Sequence, residues 1–171
     1  MAAKSTKAKK KSTAKKAAKK AKAPAKATKP KKAKPSKPAA PKGALALLDA
    51  SPSYTVNDLA KSVAWYRDVV GFAIEEEWKD GAGNLMGVSL RAGNVSFMIG
   101  QDDWKKGRDR TKGEGFRIFC MTKGSVDELA KRIEAKGGVL DHPPTDQPWG
   151  FRDIALTDPD GFKITIAVAT R

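Results

Sequence analysis

The sequence predicts an α+β fold, two βαβββ modules in tandem behind a disordered basic tail. Three observations carry that expectation. A strand–helix–glycine–strand pattern occurs twice, at Ser53–Ile74 and again at Phe116–Leu140. Each copy is followed by a stretch that reads as a hairpin, completing a repeat of roughly fifty-five residues. The composition also changes abruptly after residue 43.

Residues 1–43 hold 17 Lys, with no Arg, no acid and no aromatic residue; the remainder is mostly Ala, Pro, Ser and Thr. Such a segment cannot bury enough apolar surface to offset the entropy of ordering, so disorder is expected. The whole chain has 34 basic and 19 acidic residues, so residues 44–171 keep 17 basic and 19 acidic groups, a net charge of −2. The basic balance therefore describes the tail alone. An extended polycation binds polyphosphates by releasing counterions, without reading sequence. Lys9, Lys10, Lys11, Lys15, Lys16, Lys19, Lys20, Lys31 and Lys32 are the candidate contacts. The composition is similar to the lysine-, alanine- and proline-rich tails of linker histones and bacterial histone-like proteins. That resemblance implies non-specific nucleic-acid binding, with DNA and RNA both open. An anionic membrane would draw on the same electrostatics, but the segment has no amphipathic pattern and no large apolar anchor.

The first module opens on the β-prone run Tyr54-Thr55-Val56, followed by Asn57 and Asp58, either of which can cap a helix. Leu59, Val63, Tyr66 and Val70 then fall on one helical face. Gly71 stops the helix, and Phe72-Ala73-Ile74 starts a strand. Glu75-Glu76-Glu77 invites an acid–base reading, but strand alternation sends Glu76 to the opposite face from its neighbours, as on a solvated edge. Gly87–Arg91, the turn Ala92-Gly93-Asn94 and Val95–Gly100 make the hairpin.

The second module repeats the scheme. Phe116–Met121 is the strand, and Ser125 with Glu128 forms a capping box. Val126, Leu129, Ala130 and Ile133 make the buried stripe, and Gly137-Gly138 ends the helix before Val139-Leu140. Even the wording recurs, Asp58-Leu-Ala-Lys61 against Glu128-Leu-Ala-Lys131. Phe151–Thr157, the turn Asp158-Pro159-Asp160-Gly161 and Phe162–Val168 complete it. The modules occupy about residues 46–101 and 114–169, within a domain spanning 44–171.

No apolar run spans a membrane, Ala44–Leu48 being far too short, and no apolar region follows the N-terminal charge as a secretory signal requires. The single cysteine, Cys120, sits mid-strand and reads as a small buried hydrophobe in a reducing compartment. A cytoplasmic protein is expected, drawn to the nucleoid by its tail.

Val56-Asn57-Asp58-Leu59, with Ser62-Val63-Ala64-Trp65-Tyr66-Arg67-Asp68-Val69-Val70-Gly71-Phe72, resembles the opening of a vicinal oxygen chelate domain. Asp158-Pro159-Asp160-Gly161-Phe162 resembles the turn before that superfamily's last strand, and Gln147-Pro148-Trp149-Gly150 also matches its pattern. The superfamily includes glyoxalase I, extradiol dioxygenases, and fosfomycin and bleomycin resistance proteins. The resemblance implies two βαβββ modules whose curled mixed sheets enclose a pocket, and a homodimer.

Metal-dependent members hold a divalent ion with His and Glu or Gln from four strands, ligands suited to such ions. By resemblance those positions fall at or near Ser51, Gln101, Phe116 and Thr165, of which only Gln101 ligates well. Asp49 and Glu114 could restore a site under a shifted register. The only histidine, His142, stands beside Pro143-Pro144 in an expected loop. The resemblance then implies a metal-free, cofactor-free domain like the antibiotic-binding branch, which sequesters a small molecule. Tyr54, Gln101, Trp104, Phe116, Trp149, Arg152 and Thr165 are the candidates to line its pocket, since aromatic walls with a few polar groups suit a small-molecule site. Trp104, in the mixed-charge linker Asp102–Arg110, could point inward as part of a lid. Two other readings stand beside this one: a metal-dependent lyase, isomerase or dioxygenase, and a structural nucleoid protein whose domain serves to dimerise.

Overall fold

The computed structural model describes residues 50–170. The tail with its nine candidate lysines, Ala44–Leu48 and Asp49 lie outside the described residues. Strand β1 (Ser53–Val56) leads to helix α1 (Leu59–Ala64), which runs on in π geometry through Trp65–Val70. Of the two possible caps Asp58 is the one used, its Oδ1 accepting the Lys61 amide at 3.0 Å. Gly71 closes the helix, its amide and that of Phe72 both donating to the Tyr66 carbonyl at 2.9 Å. Strands β2 (Ala73–Lys79), β3 (Leu85–Ala92) and β4 (Val95–Gln101) complete the module.

The second module repeats the order with β5 (Arg117–Met121), α2 (Val126–Ala135), β6 (Leu140–Asp146), β7 (Phe151–Thr157) and β8 (Lys163–Ala169). The expected capping interaction is present, Ser125 Oγ accepting the Glu128 amide at 3.2 Å. Each module forms one four-stranded sheet, in the orders β1-β4-β3-β2 and β5-β8-β7-β6. The first strand of each runs parallel to the last and the other pairings are antiparallel, so both sheets are mixed.

Alternation along the strands separates two faces of each sheet. Val56, Phe97, Ile99, Ile118, Cys120, Ile154, Leu156, Ile164 and Ile166 face inward, with α1 and α2, and both modules share a single core. Phe119 and Met121, one residue out of phase with Ile118 and Cys120, stand exposed on the opposite face.

His142 lies in the edge strand β6 rather than a loop. Prolines remove ladder donors and are tolerated where a strand is at an edge or bulged. The β6–β7 register shifts both before and after His142, so Pro143-Pro144 sits in such an irregularity.

Candidate functional site

The junction between the modules is polar as well as apolar. The Tyr66 hydroxyl donates to Asp158 Oδ2 at 2.8 Å and lies 2.8 Å from the Tyr54 hydroxyl. With its one proton committed to Asp158, Tyr66 accepts from Tyr54. Burial pushes both phenols, and the Asp158 carboxyl, above their ordinary values. Asp158 Oδ1 also accepts the amides of Asp160 and Phe162, which fixes the turn. Asp160 reaches across to the first module, accepting the Asn57 amide at 2.9 Å and the Ser62 hydroxyl at 3.2 Å. The Asp158–Phe162 motif is thus a clamp between modules.

Several of the expected pocket residues belong to this framework. Tyr54 packs on Phe162, Phe116 and Phe97 with ring centroids 4.1, 5.5 and 5.9 Å away. Phe116 turns toward that cluster and also borders a separate hollow with Arg117 and Lys163. Gln101 Oε1 accepts the Leu59 amide at 3.1 Å while its Nε2 donates to the Asn57 carbonyl at 2.9 Å, tying β4 to the start of α1. Arg152 shares the face of Ile154 and pairs with Asp127 of α2 at 2.7 Å and with Asp146 at 3.1 Å. Trp104 sits on the linker with a left-handed backbone, φ 53°, and the Arg108 guanidinium lies 4.0 Å over its ring. The linker is pinned at Asp102, whose buried carboxylate accepts the Trp104 amide, Lys112, Thr55 and Arg110. These donors, Lys112 first, hold Asp102 below the usual carboxylate range.

Trp149, exposed, and Thr165, buried, are expected residues that meet at the open face of the second sheet. They line a hollow of about 280 Å³ with Arg117, Phe119, His142, Gln147 and Asp153. Trp149 is 63 % exposed and Phe119 50 %. Arg117 Nη1 donates to Thr165 Oγ1 at 2.5 Å and forms no ion pair among the described residues. Buried Asp153 accepts from Gln147 Nε2 at 2.9 Å, and His142 Nε2 lies 3.7 Å from the same oxygen. The hollow thus offers aromatic surface, a guanidinium and an imidazole to one small solute. Arg117 and Phe119 were legible in Arg-Ile-Phe-Cys-Met, because burying Ile118 and Cys120 puts residues 117, 119 and 121 on the other face. The open face of the first sheet carries its own hollow, about 320 Å³, walled by Trp78, Met86 and Met98. A further cleft, of about 440 Å³, lies between the modules.

Two of the positions that resemblance matched to metal ligands are taken up by the framework. Both polar atoms of Gln101 are engaged by backbone, and Phe116 turns into the aromatic cluster. Among the described residues no three His, Cys, Asp or Glu side chains lie together as a ligand set. Nor, among them, is any helix long and apolar enough to cross a membrane.

Two βαβββ modules, each with one four-stranded mixed sheet and both sharing a single core, define the class of domain. The profile of the Glyoxalase/Bleomycin resistance protein/Dioxygenase superfamily matches residues 49–166, and the chain belongs to that family. A bleomycin resistance protein of Geobacillus stearothermophilus is 30 % identical over 131 residues, which is 70 % of this chain and 95 % of the relative. A protein of unknown function from Agrobacterium tumefaciens str. C58 superposes with a TM-score of 0.58 at 25 % identity, over 74 % of this chain and 98 % of that one. TnmS3, an antibiotic binding protein from Streptomyces sp. CB03234, does so with a TM-score of 0.54 at 22 % identity, over 73 % and 99 %. At that identity TnmS3 shows the shared fold alone.

Proposed function

We propose that the chain binds and sequesters a small molecule, without a metal, on the open face of its second sheet. The observation that carries this is the hollow beneath Trp149 and Phe119, where large aromatic side chains stand exposed beside Arg117 and Thr165. Monomer surfaces seldom expose such groups together unless they bind something. The name of the 30 % identical relative supports an antibiotic of the bleomycin type as the first ligand to try.

The same geometry supports a homodimer. Small-molecule pockets run to about 300–1,000 Å³ and bury most of their ligand, more than the second-sheet hollow provides by itself. The first sheet's open face, with Trp78, Met86 and Met98, is a second apolar surface left uncovered in the monomer. Set against the second sheet of another copy, it would close the pocket and cover both surfaces. The lysine-rich tail, by its composition, would hold this binding domain on nucleic acid without sequence preference.

Calorimetric titration of the metal-free protein with bleomycin tests the ligand assignment. One ligand per protomer, with heat abolished by Trp149→Ala, is expected. Undiminished heat in that variant would move the site elsewhere, and absence of heat in the wild type would remove the antibiotic assignment.

A further inference from the structure

The cleft between the two modules takes no part in the proposed antibiotic site, and its lining has a definite chemical character. Phe72, Val95, Cys120, Leu129 and Ile166 give it an apolar floor drawn from both modules. Its charged residues are Lys123 and Arg132, and no carboxylate lines it. Neither cation forms an ion pair among the described residues. Glu128 stands one turn before Arg132 on α2 but makes no ion pair with it. Arg132 is held in place nonetheless: its Nη2 donates to the Val70 carbonyl at 3.2 Å, and the guanidinium packs so close to Gly71 that a Cβ there would lie 3.2 Å from it. That is the one hydrogen bond Arg132 makes among the described residues, and it leaves most of the guanidinium's five N–H donors for another acceptor.

We propose that this cleft is a second binding site, separate from the open sheet faces, for a small amphipathic monoanion such as a medium-chain carboxylic acid. Its volume of about 440 Å³ suits such a molecule. The hydrocarbon part replaces water against the floor residues, a gain that scales with apolar area buried. The carboxylate meets a guanidinium, whose planar fork matches it in a bidentate pair. A cationic head would face two like charges, so the cleft discriminates by sign. Since residues 70–72 and 92–95 come from one module and 120–123, 129, 132 and 166 from the other, an occupant would brace the junction.

Cys120 makes the proposal testable, because it lines the cleft and is the chain's only cysteine. Its thiol serves as a reporter and has no role in binding. Burial raises its pKa, so its reaction with an aromatic disulfide reagent will be slow and sensitive to any further covering. The experiment follows that rate in the full-length protein as decanoate is added, with decanol and decyltrimethylammonium for comparison.

Saturable protection by decanoate, weakened about tenfold when Arg132→Gln removes the charge-assisted pair, is the expected result. Lys123→Gln, which removes a cation without an ion-pair partner among the described residues, should weaken protection while leaving the melting temperature unchanged. It therefore guards against a folding defect in the Arg132 variant. Trp149→Ala should leave protection intact, which separates this site from the proposed antibiotic site. A labelling rate indifferent to decanoate would overturn the proposal. So would protection that is equal for all three amphiphiles, or unchanged in both cation variants.

Discussion

The Lys112 ammonium lies 2.7 Å from the Asp102 carboxylate, and both side chains are only 3 % exposed. With Arg110 and the Trp104 amide on the same carboxylate, this pair pins the linker between the modules to the end of β4. Breaking a buried pair strands one charge, whereas replacing both partners with apolar groups is far less costly. Lys112→Met should therefore lower the urea midpoint, and Asp102→Leu added to it should recover part of that drop. The pH dependence follows from the lowered Asp102 pKa. Its stabilisation is present above the unfolded-state value, near pH 4, and is lost as pH falls through the lower folded value. Asp102→Asn should flatten the acid limb of a stability–pH curve below about pH 4; an unchanged limb would assign acid unfolding to other carboxylates.

Tyr66→Phe should destabilise the fold by about 1–3 kcal/mol, because it leaves the buried Asp158 without its hydroxyl donor. The raised Asp158 pKa adds a direction to this. The mutant should be relatively more stable in acid than at neutrality, since protonation relieves the orphaned carboxylate. Chemical denaturation at pH 5 and pH 8 would measure both effects.

Gly113 meets the turn before β8 so closely that a Cβ would lie 2.1 Å from the Gly161 carbonyl oxygen, at a backbone φ of +74°. Gly83 has a similar φ of +87° with nothing within 4 Å. Gly83→Ala should cost about 1–2 kcal/mol, the penalty of left-handed backbone alone. Gly113→Ala should cost distinctly more, because backbone must move apart as well. Equal costs would mean that the approach to Gly161 is slack.

Phe119→Glu should convert a dimer to monomers in sedimentation measurements without lowering the monomer's stability, because Phe119 is already half exposed. A variant that stays dimeric would place the partner surface away from the second sheet.

Replacing Lys9, Lys10, Lys11, Lys15, Lys16, Lys19, Lys20, Lys31 and Lys32 with Gln should weaken binding to DNA and RNA of any sequence. The slope of log affinity against log salt should become shallower by about 0.7–0.9 for each phosphate deprived of its lysine. A slope unmoved by nine neutralised lysines would remove the tail from nucleic-acid binding.

Local rules account for the part of the fold that is legible in the chain. Alternation, helical spacing and the two glycine stops predict the βαβββ repeat, and the capping signals at Asp58 and Ser125 lie where the helices begin. Each depends on residues within one or two turns of one another, so a linear reading contains them. The Pro143-Pro144 pair concealed β6, because the tolerance of an edge strand for proline depends on neighbours distant in sequence.

The site was legible only in part, for the same reason. Alternation groups Arg117 with Phe119 and Met121, but it does not say which side of a strand will be covered. That was decided when the helix-bearing faces of both modules met in one core. The meeting took Tyr54 and Phe116 into packing, set Gln101 to holding a helix end, and turned Arg152 toward Asp127. It left Trp149 exposed, with Thr165 buried beside it under Arg117. Period-two order is a property of the chain; which face becomes interior is a property of what packs against it, and the assembled fold alone supplies that.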